Sequence, residues 1–488
     1  MSTSHGPETT GTQHDPPSRP ELLNGSNNLA TIADLPTELL LVIFNLVYRD
    51  HRCLPFWIED FDEFDIHEPA GSSWANTDVR APILFPYCLA SVCRRWVRVL
   101  SRIPQYWTRL VVHVDEDYAP ADLASQAAWS QDLPFELTLQ RRIVSPREVD
   151  HNEGRRVLTS MAGLMPHIHR CTMLHISVTR SSSLPSLDKH FSGAAELLED
   201  MTFSYIEDDG ALPVGWPRPA SPAVFPQLDR LSIDAANFMS MALNPRACYP
   251  KLASLTMVDF SSTNNHGVSF PLPIFLDTLS QFPMLQALKI ADIDFTPLNG
   301  FRSRVNLHRM QSVTLTRISE DAICGILPTL SEASMDILEI SQCQLPSVVD
   351  FDIPSSYYLT LEQIENITDP EQFVLTFVEP IVRGSLHVVG CPGVASVVCR
   401  KLGERMSGPT GVIFFEELLE LSFVDSPGVD HAVLKASLTQ REQWYAQTMD
   451  DWRIDSFTSV RSAPAISSND LDWLKSHLGY VHWEALAS

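Results

Sequence analysis

One phrase recurs through the middle of the chain and limits what it can fold into. Phe225-Pro226-Gln227-Leu228-Asp229-Arg230-Leu231-Ser232-Ile233 is echoed by Tyr249-Pro250-Lys251-Leu252-Ala253-Ser254-Leu255-Thr256-Met257 and by Phe282-Pro283-Met284-Leu285-Gln286-Ala287-Leu288-Lys289-Ile290. The pattern is aromatic-Pro-x-apolar-x-x-apolar-x-apolar. Its second half returns as Leu198/Met201/Phe203, Met310/Val313/Leu315, Met335/Leu338/Ile340 and Leu418/Leu421/Phe423. From the 198 copy to the 335 copy, successive copies start 24 to 33 residues apart, which is the signature of a stacked repeat.

The last two apolar positions are two residues apart, so in a strand they share one face and the residue between them faces the other way. A single short strand cannot bury its apolar face alone. Stacked neighbours can, and the expected result is a parallel-strand α/β solenoid with a curved open surface. On that surface the between-strand residues are Ser232, Thr256, Lys289, Thr314, Glu339 and Ser422, candidates for partner contact by geometry alone. The phrase fades between about 344 and 412, where 381–389 is a doubtful copy. From about 430, Val433, Leu434, Leu438, Trp444 and Tyr445, then Leu471, Trp473, Leu474 and Leu478, suggest two helices forming a cap over 430–488.

The N-terminal part follows another logic. In Asp34-Leu35-Pro36-Thr37-Glu38-Leu39-Leu40-Leu41-Val42-Ile43-Phe44, Pro36 has a helical φ and no N–H to leave unpaired, and Glu38 suits the positive end of the helix dipole. A helix is predicted from here. Leu39 to Phe44 are apolar without a break and cover its whole circumference at roughly 100° per residue. Either this helix is central to a large core, or a small domain shares it with a second protein.

Asp and Glu number 60 against 35 Lys and Arg, a net charge of −25 in 488 residues, which disfavours nucleic acid and anionic membrane as partners. The chain is long enough for more than one packed unit. Nine cysteines without a CxxC fit a reducing compartment. Residues 1–30 have the composition of a disordered tail, with no signal-peptide core, and no stretch is long enough for a membrane span. A soluble cytoplasmic or nuclear protein is expected. Between about 48 and 81 the helical pattern breaks into an inserted loop carrying Glu59-Asp60-Phe61-Asp62-Glu63-Phe64-Asp65, which either docks a basic partner or is a solvated loop with two anchoring phenylalanines.

Helical periodicity returns in Leu89, Val92, Cys93, Trp96, Val99, Leu100 and Ile103, with arginines between them, and Pro104 ends it. Leu35-Pro36-x-Glu38-Leu39-Leu40-x-x-Ile43-Phe44, then Leu89-Ala90-Ser91-Val92-Cys93-Arg94-Arg95-Trp96, then Ile103-Pro104-x-x-Trp107-x-x-Leu110 together resemble an F-box, in particular those of the large fungal F-box families. The resemblance covers about 32–112, and the long insert departs from it. It implies a small all-α domain over 31–112 that binds the adaptor subunit of a cullin–RING ubiquitin ligase, the S-phase-kinase-associated protein. Leu35, Pro36, Leu39, Leu40, Ile43, Phe44, Val92, Cys93 and Trp96 would form the adaptor surface and the core beneath it, undivided at this level. Residues 113–429 would be an irregular leucine-rich-repeat-like array, irregular because the asparagine expected after each strand is missing from most copies.

No GxSxG, HExxH, dinucleotide-binding GxGxxG or Walker lysine loop is present, so neither an enzyme nor a cofactor is expected. His167, His169 and His175 lie close together but read as strand and loop histidines rather than a metal site. Two functions fit: a substrate receptor that bridges the adaptor and an unknown protein target, or an interaction scaffold without a role in ubiquitylation.

Overall fold

Each copy of the phrase lies on a strand, and the strands join one sheet. The computed structural model describes residues 35–52, 79–81, 83–142, 150–209, 223–241, 248–260, 270–296, 305–346, 351–364, 366–405, 413–448 and 454–486. The tail 1–30 and the acidic run 59–65 lie outside them. The sheet contains β1 (Arg109–His113), β2 (Phe135–Gln140), β3 (Cys171–Arg180), β4 (Asp200–Glu207), β5 (Arg230–Asp234), β6 (Ser254–Phe260), β8 (Ala287–Ile293) and β10 (Ser312–Thr316). It continues through β11 (Ser334–Ser341), β12 (Ser355–Glu362), β13 (Val382–Val389), β14 (Glu420–Val424), β15 (Ser456–Ala463) and β16 (Tyr480–Ala485). All fourteen pair in parallel in chain order, and the sheet stays open. Two short strands, β7 (Phe270–Pro271) and β9 (Phe295–Thr296), form a separate pair. The architecture is α/β and compatible with the expected solenoid.

Register explains the phrase. Leu231, Leu255, Leu288, Val313 and Leu338 stand side by side, as do Ile233, Met257, Ile290, Leu315 and Ile340, and all are buried. The helices between strands cover this face, and Leu276, Ile323, Val398 and Leu434 join the same apolar core. The leading aromatics touch from one repeat to the next: Phe225 stacks on Tyr249 with ring centroids 5.4 Å apart, and Tyr249 meets Phe282 edge-on at 6.3 Å.

The asparagine position holds other groups that do its work. Cys343, Cys391, Ser426 and Ser462 stand three residues after the second inward residue, each buried. Cys343 Sγ accepts from Ile318 N (3.4 Å), Cys391 Sγ from Ile364 N (3.5 Å), Ser426 Oγ from Cys391 N (3.1 Å) and Ser462 Oγ from Ser426 N (2.9 Å). Buried backbone donors thus find acceptors across repeats. One position earlier, Asp292, Arg317, Gln342, Gln363, Gly390, Asp425 and Arg461 all take positive φ. Their side chains cross-link the left-handed turns: Arg317 pairs with Asp292 and donates to Gln342 (2.8 Å), Gln342 donates to Gln363 (2.6 Å), and Arg461 pairs with Asp425 (2.6 Å).

The array is longer than the sequence pattern indicates, in both directions. In the region where the phrase fades, β12 and β13 are full members of the sheet, with Leu359/Leu361 and Leu386/Val388 in register with Leu338/Ile340. The helices expected in 430–488 are present as His431–Thr448 and Ser468–His477, but each precedes a further strand, so this region continues the sheet rather than only capping it. The phrase hides there because the second inward position of β15 is Ser459, fully buried but not apolar. At the other end β1 already belongs to the sheet, so the boundary at 112 falls inside a strand.

The N-terminal helices are α1 (Thr37–Arg52), α2 (Tyr87–Ala90) and α3 (Arg94–Leu100). Leu39 N and Leu40 N both donate to Pro36 O at 3.1 Å, the start that the proline predicts. Because α1 runs to Arg52, Tyr48–Arg52 is helix and not loop. The single amphipathic helix predicted around Leu89–Ile103 is split, because Cys93 is extended (φ −163°, ψ 163°) and begins a new helix. Periodicity does not register a break this short, Ser91 to Cys93. Leu40, Phe44, Phe85, Trp96, Leu100 and Tyr106 form the bundle core. Phe44 meets Trp96 edge-on at 5.0 Å, and Trp107 meets Trp129 of the helix Pro120–Trp129 at 4.4 Å, which fastens the bundle to the end of the sheet.

Candidate functional site

Two surfaces gather the candidate residues. The first is the outer side of α1. Leu40 and Phe44, one turn apart, are fully buried, whereas Leu39 (50% exposed), Val42 (56%) and Leu46 (61%) follow an i, i+3, i+7 spacing and so share a face that the described residues leave exposed. Arg95 Nη2 donates to Leu35 O at 2.6 Å and ties the start of α3 to the start of α1, with Val92 just before it half exposed. The nine candidates therefore divide. Leu40, Phe44 and Trp96 are core; Leu35, Ile43 and Cys93 are half-buried against it; Pro36, Leu39 and Val92 face outward. Val42 and Leu46 were not among the candidates, although a helical wheel drawn on Leu39 selects both. The Trp96 indole N–H is buried and meets no acceptor among the described residues.

The second surface is the open face of the sheet. Thr202, Ser232, Thr256, Lys289, Thr314, Glu339, Thr360, His387, Ser422 and Thr458 stand side by side across it, one per strand. All of the expected surface positions fall in this row and are half-buried. Over β3 to β10 lies a groove of about 400 Å³ whose lining includes His175, Asp200, Arg230, Ser232, Lys289 and Thr314. Arg230 Nε meets Asp200 Oδ2 at 2.9 Å. Burial holds the His175 imidazole below its ordinary range, with Asp200 opposing and Arg80 reinforcing, so at neutral pH this histidine is uncharged. Lys289 makes no hydrogen bond or ion pair with any described residue.

Beyond the groove the sign changes. Glu339 accepts from Thr314 Oγ1 (3.0 Å), Glu362 from Ser341 Oγ (2.8 Å) and Glu420 from Ser385 Oγ (2.9 Å), each a neutral hydroxyl on the preceding strand of the sheet. Burial also pushes the His387 imidazole down, against the pull of Glu362 and Glu339.

Among the described residues of these two surfaces, no hydroxyl or thiol is hydrogen-bonded to a histidine; the serine and threonine hydroxyls there that meet a carboxylate do so singly. The thiols of Cys343 and Cys391 are pushed up to about 11 by burial and serve as ladder groups. His167 and His169 sit in the turn Met165–Arg170, apart from the strand that carries His175. Among the described residues no group of three His, Cys, Asp or Glu could hold a metal ion, and no helix is long and apolar enough to cross a membrane. No protein-family model matches the chain, and no curated protein matches it.

Proposed function

We propose that this protein is the substrate-recognition subunit of a Skp–cullin–F-box type ubiquitin ligase, non-catalytic in itself. The N-terminal bundle is its F-box and binds the adaptor; the leucine-rich-repeat-like solenoid presents its open face to a target protein. The observation that carries this reading is the stripe Leu39, Val42 and Leu46, left exposed by the described residues on a helix whose opposite side is packed by Phe44 and Trp96. Covering three side chains that are 50–61% exposed is worth roughly 1–2 kcal/mol each, a contribution towards offsetting the entropy of joining two proteins. The first two submotifs of the F-box resemblance lie on this bundle, and the third runs from Ile103 into β1 at Leu110.

The test is capture of a recombinant adaptor of the S-phase-kinase-associated type by the full chain. Capture is expected, and Val42→Asp should abolish it; no capture by the wild-type chain removes the ligase reading. Adaptor capture with no cellular protein changing its half-life on deletion of the gene would favour the interaction scaffold.

A further inference from the structure

The open face carries two charge regions in a fixed order, and their order says what fits. In a chain of net charge −25, an anion is repelled at long range unless local cations take over. Among the lining side chains of the groove over β3 to β10, Asp200 already neutralises Arg230, and His175 is held uncharged. That leaves Lys289 as its uncompensated cation, flanked in register by the hydroxyl-bearing Thr256 and Thr314. From β11 onward the face carries Glu339, Glu362 and Glu420, whose hydrogen-bond donors are neutral hydroxyls, so their charge is solvated but not cancelled.

We propose that the occupant of this face is an extended segment of a partner protein, crossing the strands, with an oxyanion seated on Lys289 and basic side chains over Glu339 to Glu420. This deepens the receptor reading above, resting on its assignment of the open face to the target, and names the class of target. A purely acidic segment gains Lys289 but meets the carboxylates, and a purely basic one leaves the groove's cation bare. Adjacent strands are about 4.8 Å apart, so Glu339, two strands from Lys289, is about 10 Å away and Glu420, five strands away, about 24 Å. At about 3.3 Å per residue of extended chain, the basic positions fall about three and seven residues from the anionic one. A carboxylate and a phosphate monoester share the chemistry Lys289 recognises.

The experiment measures anisotropy of labelled twelve-residue Gly/Ser peptides with the full chain. One set carries Glu, or phosphoserine in its place, with Lys three and seven residues away, in both orders along the peptide. Controls are an all-acidic set that includes the chain's own Glu59–Asp65 sequence, an all-basic set and a neutral set. Saturable binding of one order of the mixed-charge set is expected, whichever oxyanion is preferred. It should weaken about tenfold or more in Lys289→Glu and in Glu339→Lys. Lys289→Gln, with an unchanged melting midpoint, separates loss of charge from loss of fold. The proposal is overturned if no peptide binds, if an all-acidic or all-basic peptide binds as tightly, or if Lys289→Glu leaves binding unchanged. Adaptor capture is read on the same preparations. Peptide binding lost with capture kept sinks only the groove assignment, and the converse sinks only the ligase reading.

Discussion

The phenol oxygen of Tyr87 accepts the backbone N–H of Val111 at 2.9 Å, joining a helix of the N-terminal bundle to the first strand of the sheet. An outer strand presents unpaired backbone groups, and β1 is protected because all of its residues are buried. Bundle and sheet are therefore one cooperative unit at this end.

Removing that acceptor should loosen the junction. Tyr87→Phe leaves the Val111 N–H without its acceptor, and a loss of about 1–3 kcal/mol in chemical denaturation is expected. The burial of this phenol, which the Val111 bond opposes, predicts alkaline sensitivity. Burial pushes the Tyr87 hydroxyl up to about 12 from an ordinary value of 10, and burial does the same to Tyr106. The folded state then holds protons that the unfolded chain releases, so stability is full below pH 10 and falls as pH rises from 10 towards 12. A pH-independent melting midpoint across that window would contradict the burial of both phenols.

The two sides of α1 should separate folding from binding. Val42→Asp, at a site 56% exposed, is expected to shift stability by no more than ~0.5 kcal/mol while abolishing adaptor capture. Phe44→Ala opens a cavity beside Trp96 and should cost about 3–5 kcal/mol, with capture lost as a consequence of unfolding. Ile43→Asp is a poorer probe, because Ile43 packs against the core and mixes the two effects. Capture retained by Val42→Asp would move the contact to another face.

Much of this arrangement is legible in the amino-acid order, for reasons that differ by region. The strands around Leu231, Leu255 and Leu288 announce themselves because both inward residues are large and apolar and the preceding aromatics touch one another. β15 is silent because Ser459 takes an inward position, its burial supported by neighbours rather than by its own hydrophobicity. The missing asparagine misleads for a similar reason: a thiol or hydroxyl at Cys391 or Ser426 meets the same donors, so the residue type varies while its role persists. On α1 the unbroken apolar run does not show which side the bundle buries. Which side it is depends on where Trp96 and Tyr106 come to rest, and contacts that distant in sequence leave no local periodicity. The Lys289 groove is partly legible, since alternation places the residue outward, but its lack of a partner among the described residues and the Asp200–Arg230 pairing are products of register across strands.

The ladder that replaces asparagine makes a chemical prediction. Ser426 is fully buried, accepts from Cys391 N at 3.1 Å and lies within donor range of Val388 O at 3.2 Å. Ser426→Ala leaves the Cys391 N–H without its acceptor and should cost about 1–3 kcal/mol in denaturation. Ser426→Cys should recover part of that loss, since Cys391 accepts from Ile364 N in the neighbouring repeat. If the alanine and cysteine variants melt alike, the hydroxyl is packing and not bonding.

A last substitution opposes backbone preference to packing. Gly163 lies inside the helix Glu153–Leu164, where alanine is ordinarily favoured over glycine by about 0.5–1 kcal/mol. A Cβ there would sit 2.6 Å from Pro120 O and 3.0 Å from Pro120 Cα, backbone atoms at the start of the neighbouring helix that cannot rotate aside. Relieving such a clash costs about 1–3 kcal/mol, so Gly163→Ala should be destabilising on balance. Gly154, in the same helix, is the control. The nearest atom to its added Cβ is Ser183 Cα at 3.4 Å, and Gly154→Ala should be neutral or slightly stabilising. The two variants differ in no helical preference, so opposite shifts in denaturation midpoint would isolate the close approach of the two helices, and equal shifts would show that these helices part easily.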